Sequence, residues 1–227
     1  MSTRAKSRRK KPRERRRKPQ PRRPPEVYEP DEVAALIRSC SRRAPTGCRN
    51  AALIVLCYRA GLRISEALAL LPKDVDLKTG RVVVLHGKGD RSRTVALGPG
   101  DVALIERWVQ KRRGLKCKPS QPLICTLNGG QLDSSYVRQL LPRLGRRAGL
   151  SKRIHAHGLR HTLAYEMHVK ERQPVALVQK VLGHSNLATT AVYLSHIAPR
   201  DVLDAMRNRP AFAYGGRRTD VSPSTEA

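Results

Sequence analysis

The sequence is poor in aromatic residues, and its cysteines follow no metal-binding or disulfide pattern. One Trp, one Phe and six Tyr occur in 227 residues, so recognition of single-stranded nucleic acid by base stacking is a poor fit. The five cysteines are irregularly spaced and form no C-x-x-C pair, which argues against a zinc ribbon or a disulfide framework. The composition therefore predicts a cytoplasmic protein without a structural metal.

Long apolar segments are also missing. The longest wholly apolar run, residues 51–57, is far shorter than the roughly 20 residues that a membrane-spanning helix needs. The basic N-terminal stretch is not followed by the apolar region of a secretory signal. We therefore expect no membrane partner.

Positive charge is what the sequence has in excess. The formal net charge is +28, which indicates a polyanionic partner, and duplex DNA is the first candidate. Residues 1–27 alone hold 13 Lys/Arg against 2 Asp/Glu, with several prolines and almost no apolar side chains. Such a segment cannot bury enough surface to fold alone. We predict a disordered DNA-binding arm whose contacts include Arg8, Arg9, Lys10, Lys11, Arg15, Arg16, Arg17 and Lys18. A solubility tail or a non-specific nucleic-acid anchor is the alternative.

The pattern of apolar residues predicts a mainly α-helical domain with one small antiparallel sheet, an α+β fold. Residues 28–209 form this domain, and residues 210–227 form a C-terminal tail. A β-hairpin is predicted from strands at 81–86 and 92–97, joined by a tight turn around Lys88. Residues 74–79 are predicted as a loop, and Pro142 lies inside a predicted helix. The other predicted helices cover residues 32–40, 49–60, 65–71, 100–113, 134–148, 187–194 and 200–208.

Residues 155–193 gather the side chains that can carry chemistry. On a helix, His157, Arg160 and His161 would share one face. His184 follows a Leu-Gly step, and Tyr193 lies nine residues further on. Guanidinium groups hold phosphate oxygens, imidazoles move protons and a phenol can become covalently linked. The segment therefore predicts attack on a phosphodiester.

The same residues also have interpretations without chemistry. His157 and His161 are spaced like the ligands of a zinc protease, but Gly158 stands where the protease has its glutamate. No third ligand cluster is evident in the sequence, so we expect no metal. A satisfied buried histidine and a half-buried tyrosine are the structural alternatives.

Four sequence boxes in order resemble the catalytic half of the tyrosine recombinase (phage integrase) family. HGLRHT at 157–162 and LGHSNLATTAVYLSH at 182–196 resemble its two C-terminal boxes. GLRISEAL at 61–68 resembles its first arginine box, and LHGKGDRSRTVAL at 85–97 resembles the hairpin that carries its catalytic lysine. The resemblance covers roughly residues 29–209.

The resemblance implies a role for each residue of the site. Tyr193 would be the nucleophile, and Arg63 and Arg160 would hold the non-bridging phosphate oxygens. Lys88 would protonate the leaving oxygen. His157 would act as general acid and base, and His184 would donate to a phosphate oxygen. Outside this catalytic set, Glu66 would position an arginine, His161 would orient its neighbours, and Arg91 and Arg93 would hold DNA phosphates.

The implied activity is site-specific recombination of duplex DNA through a 3′-phosphotyrosine. Phage integration and excision is the expected setting, and chromosome-dimer or plasmid resolution is the alternative. No cofactor is needed, because the ester keeps the energy of the broken bond. Four protomers would act on two DNA sites, with residues 200–208 docking on a neighbour, and a host DNA-bending protein or an excision factor could assist. Family members usually carry a separate core-binding domain, and we expect the basic arm or another protein to replace it here.

Three other functions stay open from the sequence alone. A type IB topoisomerase uses a similar set of residues to relax DNA, and it rejoins its own ends instead of exchanging them. A non-catalytic DNA-binding protein could keep the same fold. An RNA-associated or ribosome-associated basic protein would rest on charge alone.

Overall fold

The computed structural model of the chain describes residues 26–85 and 92–183, together with Arg207. This part is mostly helical and carries a small antiparallel sheet, which confirms the predicted fold class. The helices are α1 (Pro30–Arg38), α2 (Pro45–Tyr58), α3 (Ile64–Ala69), α4 (Pro99–Gly114), α5 (Ser134–Arg147), α6 (Ala156–Tyr165) and α7 (Val175–Leu182). The strands are β1 (Val75–Asp76), β2 (Arg81–Val84) and β3 (Arg93–Ala96).

Helix α2 lies at the centre of the core. Its residues 50–58 are all buried, and it packs against both α4 and α6. The sequence pattern predicts a start at residue 49, but the helix begins at Pro45. Proline is favoured in the first turn, where its missing N–H costs no hydrogen bond. Arg49 is buried as well. Its guanidinium group donates to the Cys125 carbonyl and the Tyr136 hydroxyl, and these hydrogen bonds compensate for the loss of water.

Helices α1 and α3 begin in the same way. In each, the backbone N–H just before the helix donates to the carboxylate of a glutamate three residues later: Glu29 to Glu32 in α1, and Arg63 to Glu66 in α3, both at 2.8 Å. This contact satisfies a donor that a helix start leaves without an intrahelical partner. It also brings the Glu66 carboxylate next to Arg63.

The sheet has the order β1-β2-β3, with both pairs antiparallel. The predicted hairpin is confirmed, with Val84 opposite Arg93 at the last described pair before the turn. The predicted loop at 74–79 is wrong in part, because β1 pairs Val75 with Val82. A strand of two residues is too short to show the alternation that identifies strands in a sequence. A 3₁₀ turn (Pro72–Asp74) precedes it.

Helix α6 continues into a π-helical segment, Glu166–Lys170, which leads toward α7. The buried Glu166 side chain accepts a hydrogen bond from the Tyr58 hydroxyl at 2.8 Å. Burial raises the pKa of Glu166 above its ordinary value. The contact ties the end of α6 to the end of α2. In the described ranges, no helix is both long and apolar enough to cross a bilayer.

Candidate active site

Helix α6 carries the predicted His157, Arg160 and His161, and its first turn is fixed by neighbouring side chains. His155 caps the helix, its Nδ1 accepting from the Gly158 N–H at 2.9 Å. Tyr28 supports the same turn from outside: its hydroxyl donates to the Arg153 carbonyl at 2.9 Å and accepts from the His155 N–H at 3.2 Å. The start of α6 is therefore held from two directions.

The two histidines of this helix lie in contact but in different surroundings. The rings of His157 and His161 are 4.3 Å apart between centroids, in an edge-to-face arrangement. His157 is exposed, whereas His161 is buried. The orienting role predicted for His161 stays a prediction, and it fits this packing against the exposed ring. Across residues 26–85 and 92–183, no group of three or more His, Cys, Asp or Glu side chains is placed to hold a metal ion.

Partial desolvation lowers the pKa of His157 below its ordinary value of 6.5. The positive charges of Arg160 and Arg63 lower it further. The imidazole is therefore neutral at physiological pH, which is the form that accepts a proton.

The carboxylate of Glu66 is the centre at which three arginines meet. Arg63 Nη1 donates to Glu66 Oε1 at 2.8 Å. Arg93 donates from Nη1 to Oε1 at 3.1 Å and from Nη2 to Oε2 at 2.7 Å. Arg160 Nη1 lies 3.9 Å from Oε2. One negative charge thus organises side chains from the residue before α3, from β3 and from α6.

Burial alone would raise the pKa of Glu66, but the hydrogen bonds and charges of its partners outweigh that effect. Arg93 makes the largest favourable contribution, followed by the backbone N–H of Arg63. Together they lower the pKa of Glu66 to about 2. The carboxylate is therefore ionised at every physiological pH.

The same three arginines also bind the C-terminal end of α7. Arg93 Nε donates to the Val181 carbonyl at 2.9 Å, Arg160 Nη2 to the Leu182 carbonyl at 2.5 Å, and Arg63 Nη2 to the Gly183 carbonyl at 3.4 Å. Helix carbonyls at this end carry partial negative charge and lack intrahelical donors. Three guanidinium groups thus satisfy three successive carbonyls.

The arginines differ in how far solvent reaches them. The Arg63 side chain is 40% exposed, whereas Arg160 is 1% exposed and also donates to the Gly61 carbonyl. Of the three arginines, Arg63 thus has the side chain that solvent reaches most. The phosphate contact predicted for Arg160 stays a prediction.

The phosphate contact predicted for Arg93 stays a prediction, but the Arg93 side chain is 8% exposed and is bound to Glu66 and the end of α7. The physical reason is strand alternation: Arg93 points to the same face of β3 as Val95, which is buried. That alternation is visible in the sequence and could have revealed the buried position.

Several predicted residues lie outside the described ranges: Lys88, Arg91, His184, Tyr193 and the arm residues at 8–11 and 15–18. Their immediate neighbours are described. Lys88 and Arg91 belong to the connection between β2 and β3. His184 directly follows Gly183, which ends α7 in the left-handed conformation with φ 64°. The Leu-Gly step before His184 is therefore the end of a helix.

Comparisons with known proteins agree on one family. Residues 26–199 match the profile of the phage integrase family. Tyrosine recombinase XerC of Actinobacillus pleuropneumoniae serotype 7 is 34% identical over 169 residues, which cover 74% of this chain and 54% of that protein. The chain thus spans about half the length of this relative.

Solved structures show the same similarity. The crystal structure of XerA recombinase superposes with a TM-score of 0.71 at 26% identity, covering 85% of this chain and 68% of that one. XerH site-specific recombinase bound to its palindromic difH substrate, in a post-cleavage complex, gives a TM-score of 0.67 at 30% identity. That match covers 82% of this chain and 54% of that one.

Proposed function

The chain belongs to the phage integrase family of tyrosine recombinases, and from this membership we propose that it cuts and rejoins duplex DNA through a 3′-phosphotyrosine at Tyr193. The related XerH protein was solved on a DNA substrate after cleavage. The proposed reaction is site-specific recombination, with integration and excision of phage DNA as its setting. It uses no cofactor.

The observation that carries the proposal is the meeting of Arg63 and Arg160 at Glu66. These arginines lie far apart in the sequence, yet Glu66 lies 2.8 Å from one and 3.9 Å from the other. Both also bind the end of α7, next to the start of the segment that begins with His184. A cationic centre therefore adjoins the segment that carries the proposed nucleophile. Guanidinium groups fit this task, because they stay charged and bind phosphate bidentately.

The proposed chemistry follows from these groups. Tyr193 attacks the scissile phosphorus and a 5′-oxygen leaves, taking a proton from Lys88. Arg63, Arg160 and His184 stabilise the negative charge that develops on the non-bridging oxygens. His157, neutral at physiological pH, accepts the proton of the tyrosine hydroxyl. A 5′-hydroxyl of the partner duplex then reverses the attack.

The basic surface fits a duplex partner. Helix α5 buries Val137, Leu140, Leu141 and Leu144, and it exposes Arg138, Arg143, Arg146 and Arg147. No acidic residue occurs in this helix. We propose that these arginines and the basic arm at residues 1–27 contact the DNA backbone, where lysine and arginine displace condensed counterions. Four protomers on two DNA sites, in the cytoplasm, are part of the proposal.

A nicked suicide duplex tests the function. The nick lets a short 5′-ended fragment diffuse away, so that the covalent protein–DNA adduct accumulates. The wild-type protein should form the adduct, and Tyr193→Phe should not, while both bind the duplex equally. Tyr165→Phe is the matched control and should keep the wild-type yield. An adduct in Tyr193→Phe would assign the nucleophile elsewhere.

A mixture of two labelled duplexes then separates recombination from relaxation. A recombinase joins an end of one duplex to an end of the other, whereas a topoisomerase restores each duplex to itself. Exchanged products support the proposal. Adduct formation with restored parental duplexes alone would replace it with a topoisomerase activity.

A further inference from the structure

Arg93 connects α3 and α7, two helices whose relative position matters for the proposed reaction. Its Nη1 and Nη2 bind both oxygens of Glu66, in the first turn of α3. Its Nε binds the Val181 carbonyl in the last turn of α7. One rigid guanidinium group therefore fixes the distance between the two helices. A lysine could not do this, because it offers a single nitrogen.

The fit around this guanidinium group is tight at the end of α7. A Cβ added to Gly183 would lie 2.9 Å from Arg93 Nη1 and 3.0 Å from Arg93 Cδ. The glycine that ends the helix thus packs directly on the arginine side chain. A displacement of Arg93 would therefore remove side-chain packing from the turn at Gly183.

That turn leads into the segment with the chemistry. His184 is the next residue after Gly183, and Tyr193 follows nine residues later. The Arg63 guanidinium, which shares Glu66 with Arg93, also reaches this turn and donates to the Gly183 carbonyl. Arg63 and Arg93 together therefore hold the end of α7, from which this segment continues.

We propose that Arg93 is a positioning residue for strand cleavage: by joining Glu66 to the end of α7, it sets the 184–193 segment against the phosphate that Arg63 binds. The inference rests on the proposed function and adds a residue to it. Arg93 does not touch DNA in this scheme. It acts through the backbone that carries His184 and Tyr193.

A positioning role for Arg93 can be distinguished from a DNA contact and from core packing, because the loss of each role changes a different measurement. Loss of a DNA contact weakens binding and its salt dependence. Loss of packing lowers the melting temperature. Loss of positioning slows the covalent step while the protein stays folded and saturated with DNA, and a misplacement of about 1 Å can cost about 10²-fold in rate.

The test compares Arg93→Lys with Arg81→Lys in the full chain. Arg81 lies on the neighbouring strand β2 and is exposed, so it controls for the same substitution in the same sheet. Adduct formation on the nicked duplex is followed in single turnover at saturating DNA, with DNA affinity and melting temperature measured in parallel. Arg93→Lys should form the adduct about 10²-fold more slowly, with unchanged DNA affinity and a folded baseline. Arg81→Lys should match the wild type.

A second substrate shows which element Arg93 acts on. When sulfur replaces the 5′-bridging oxygen, the leaving group no longer needs a proton. The sulfur substrate should restore cleavage by Lys88→Ala, whose proposed defect is that missing proton. It should leave Arg93→Lys slow, because the proposed defect is the placement of His184 and Tyr193.

Each result decides something. If the wild type forms no adduct on either substrate, the proposed function fails, and this inference fails with it. If the wild type is active and Arg93→Lys is as fast as Arg81→Lys, the positioning role alone is refuted. Equal rescue of Arg93→Lys and Lys88→Ala by sulfur would also overturn it, because Arg93 would then act through the hairpin. A loss of rate that DNA affinity fully explains would make Arg93 a DNA contact.

Discussion

The ring of Tyr28 occupies the space in which a side chain at position 158 would begin. A Cβ added to Gly158 would lie 2.8 Å from Tyr28 Cζ and 2.9 Å from its Cε2. The glycine between His157 and Arg160 is thus required by packing, because the helix that carries them rests on a buried phenol. A glutamate at this position, as a zinc protease would need, cannot be accommodated without moving the ring.

Gly158→Ala should therefore destabilise the protein by about 1–3 kcal/mol, the usual cost of overpacking a core. Chemical denaturation gives the free energy of unfolding. Gly100→Ala, in the first turn of α4, is the control, because its Cβ would meet nothing within 4 Å. That variant should be neutral or slightly more stable. Equal stability of both variants would contradict the close contact with Tyr28.

Arg172 offers a stabilising substitution. It adopts φ 55°, a left-handed conformation that costs an ordinary residue roughly 1 kcal/mol or more. Arg172→Gly should raise the melting temperature by a few degrees, a shift that about 1 kcal/mol produces in a domain of this size. Arg172→Ala keeps the strain and should leave the melting temperature unchanged. A lower melting temperature for the glycine variant would show that no strain is relieved.

The ionisation of Glu66 predicts how stability depends on acid. Its pKa is about 2 in the folded protein against an ordinary 4.5, so the folded state favours the charged form. The resulting stability, on the order of 3 kcal/mol, is complete above about pH 5 and is lost as the pH falls toward 2. Glu66→Gln removes the titrating group. The wild type should lose its advantage over Glu66→Gln across this window in pH-dependent denaturation, and a constant difference would argue against the low pKa.

The pKa of His157 predicts the acidic limb of the proposed cleavage reaction. Because this pKa lies below 6.5, the histidine stays a proton acceptor under mildly acidic conditions. The midpoint of the acidic fall in the rate of adduct formation should therefore lie below pH 6.5. His157→Gln should be slow at all pH values and should lack this limb. A wild-type limb centred above pH 6.5 would point to another group.

The basic arm predicts a change in salt dependence. If residues 1–27 bind phosphates, their deletion should weaken DNA binding and flatten the plot of log affinity against log salt by about 0.9 for each phosphate that the arm neutralises. A chain in which serine replaces the arm residues at 8–11 and 15–18 is the matched control, because it keeps the length and removes the charge. Both variants should behave alike. An unchanged slope and affinity would show that residues 1–27 do not contribute to DNA binding.

Local patterns predict much of the fold, and the reasons for the misses are physical. The hairpin and the helix of His157 are visible, because alternation and helical spacing depend on neighbours in sequence. Strand β1 is missed because two residues show no period. The π-helical segment is not predicted, because the spacing of its apolar residues does not distinguish it from an α-helix.

The site itself is only partly visible in the sequence. The boxes identify Arg63, Arg160 and Glu66. They do not show that both arginine side chains meet at the Glu66 carboxylate. Contacts such as Arg160 with Gly61 join residues 99 apart, and no local pattern encodes them. Arg93 is a different case: its alternation with the buried Val95 is visible in the sequence, whereas its contacts with Glu66 and Val181 are not.

The hydrogen bonds of Arg63 and Arg160 to the end of α7 also bear on how the protein is made. Arg63 leaves the ribosome 120 residues before Gly183, and Arg160 leaves it 22 residues before Leu182. Until those carbonyls emerge, neither guanidinium group has its partner on α7, although most of the hydrophobic core is already synthesised. A nascent chain can therefore condense around α2 well before its cationic centre closes, and the centre is complete only after α7 has been made.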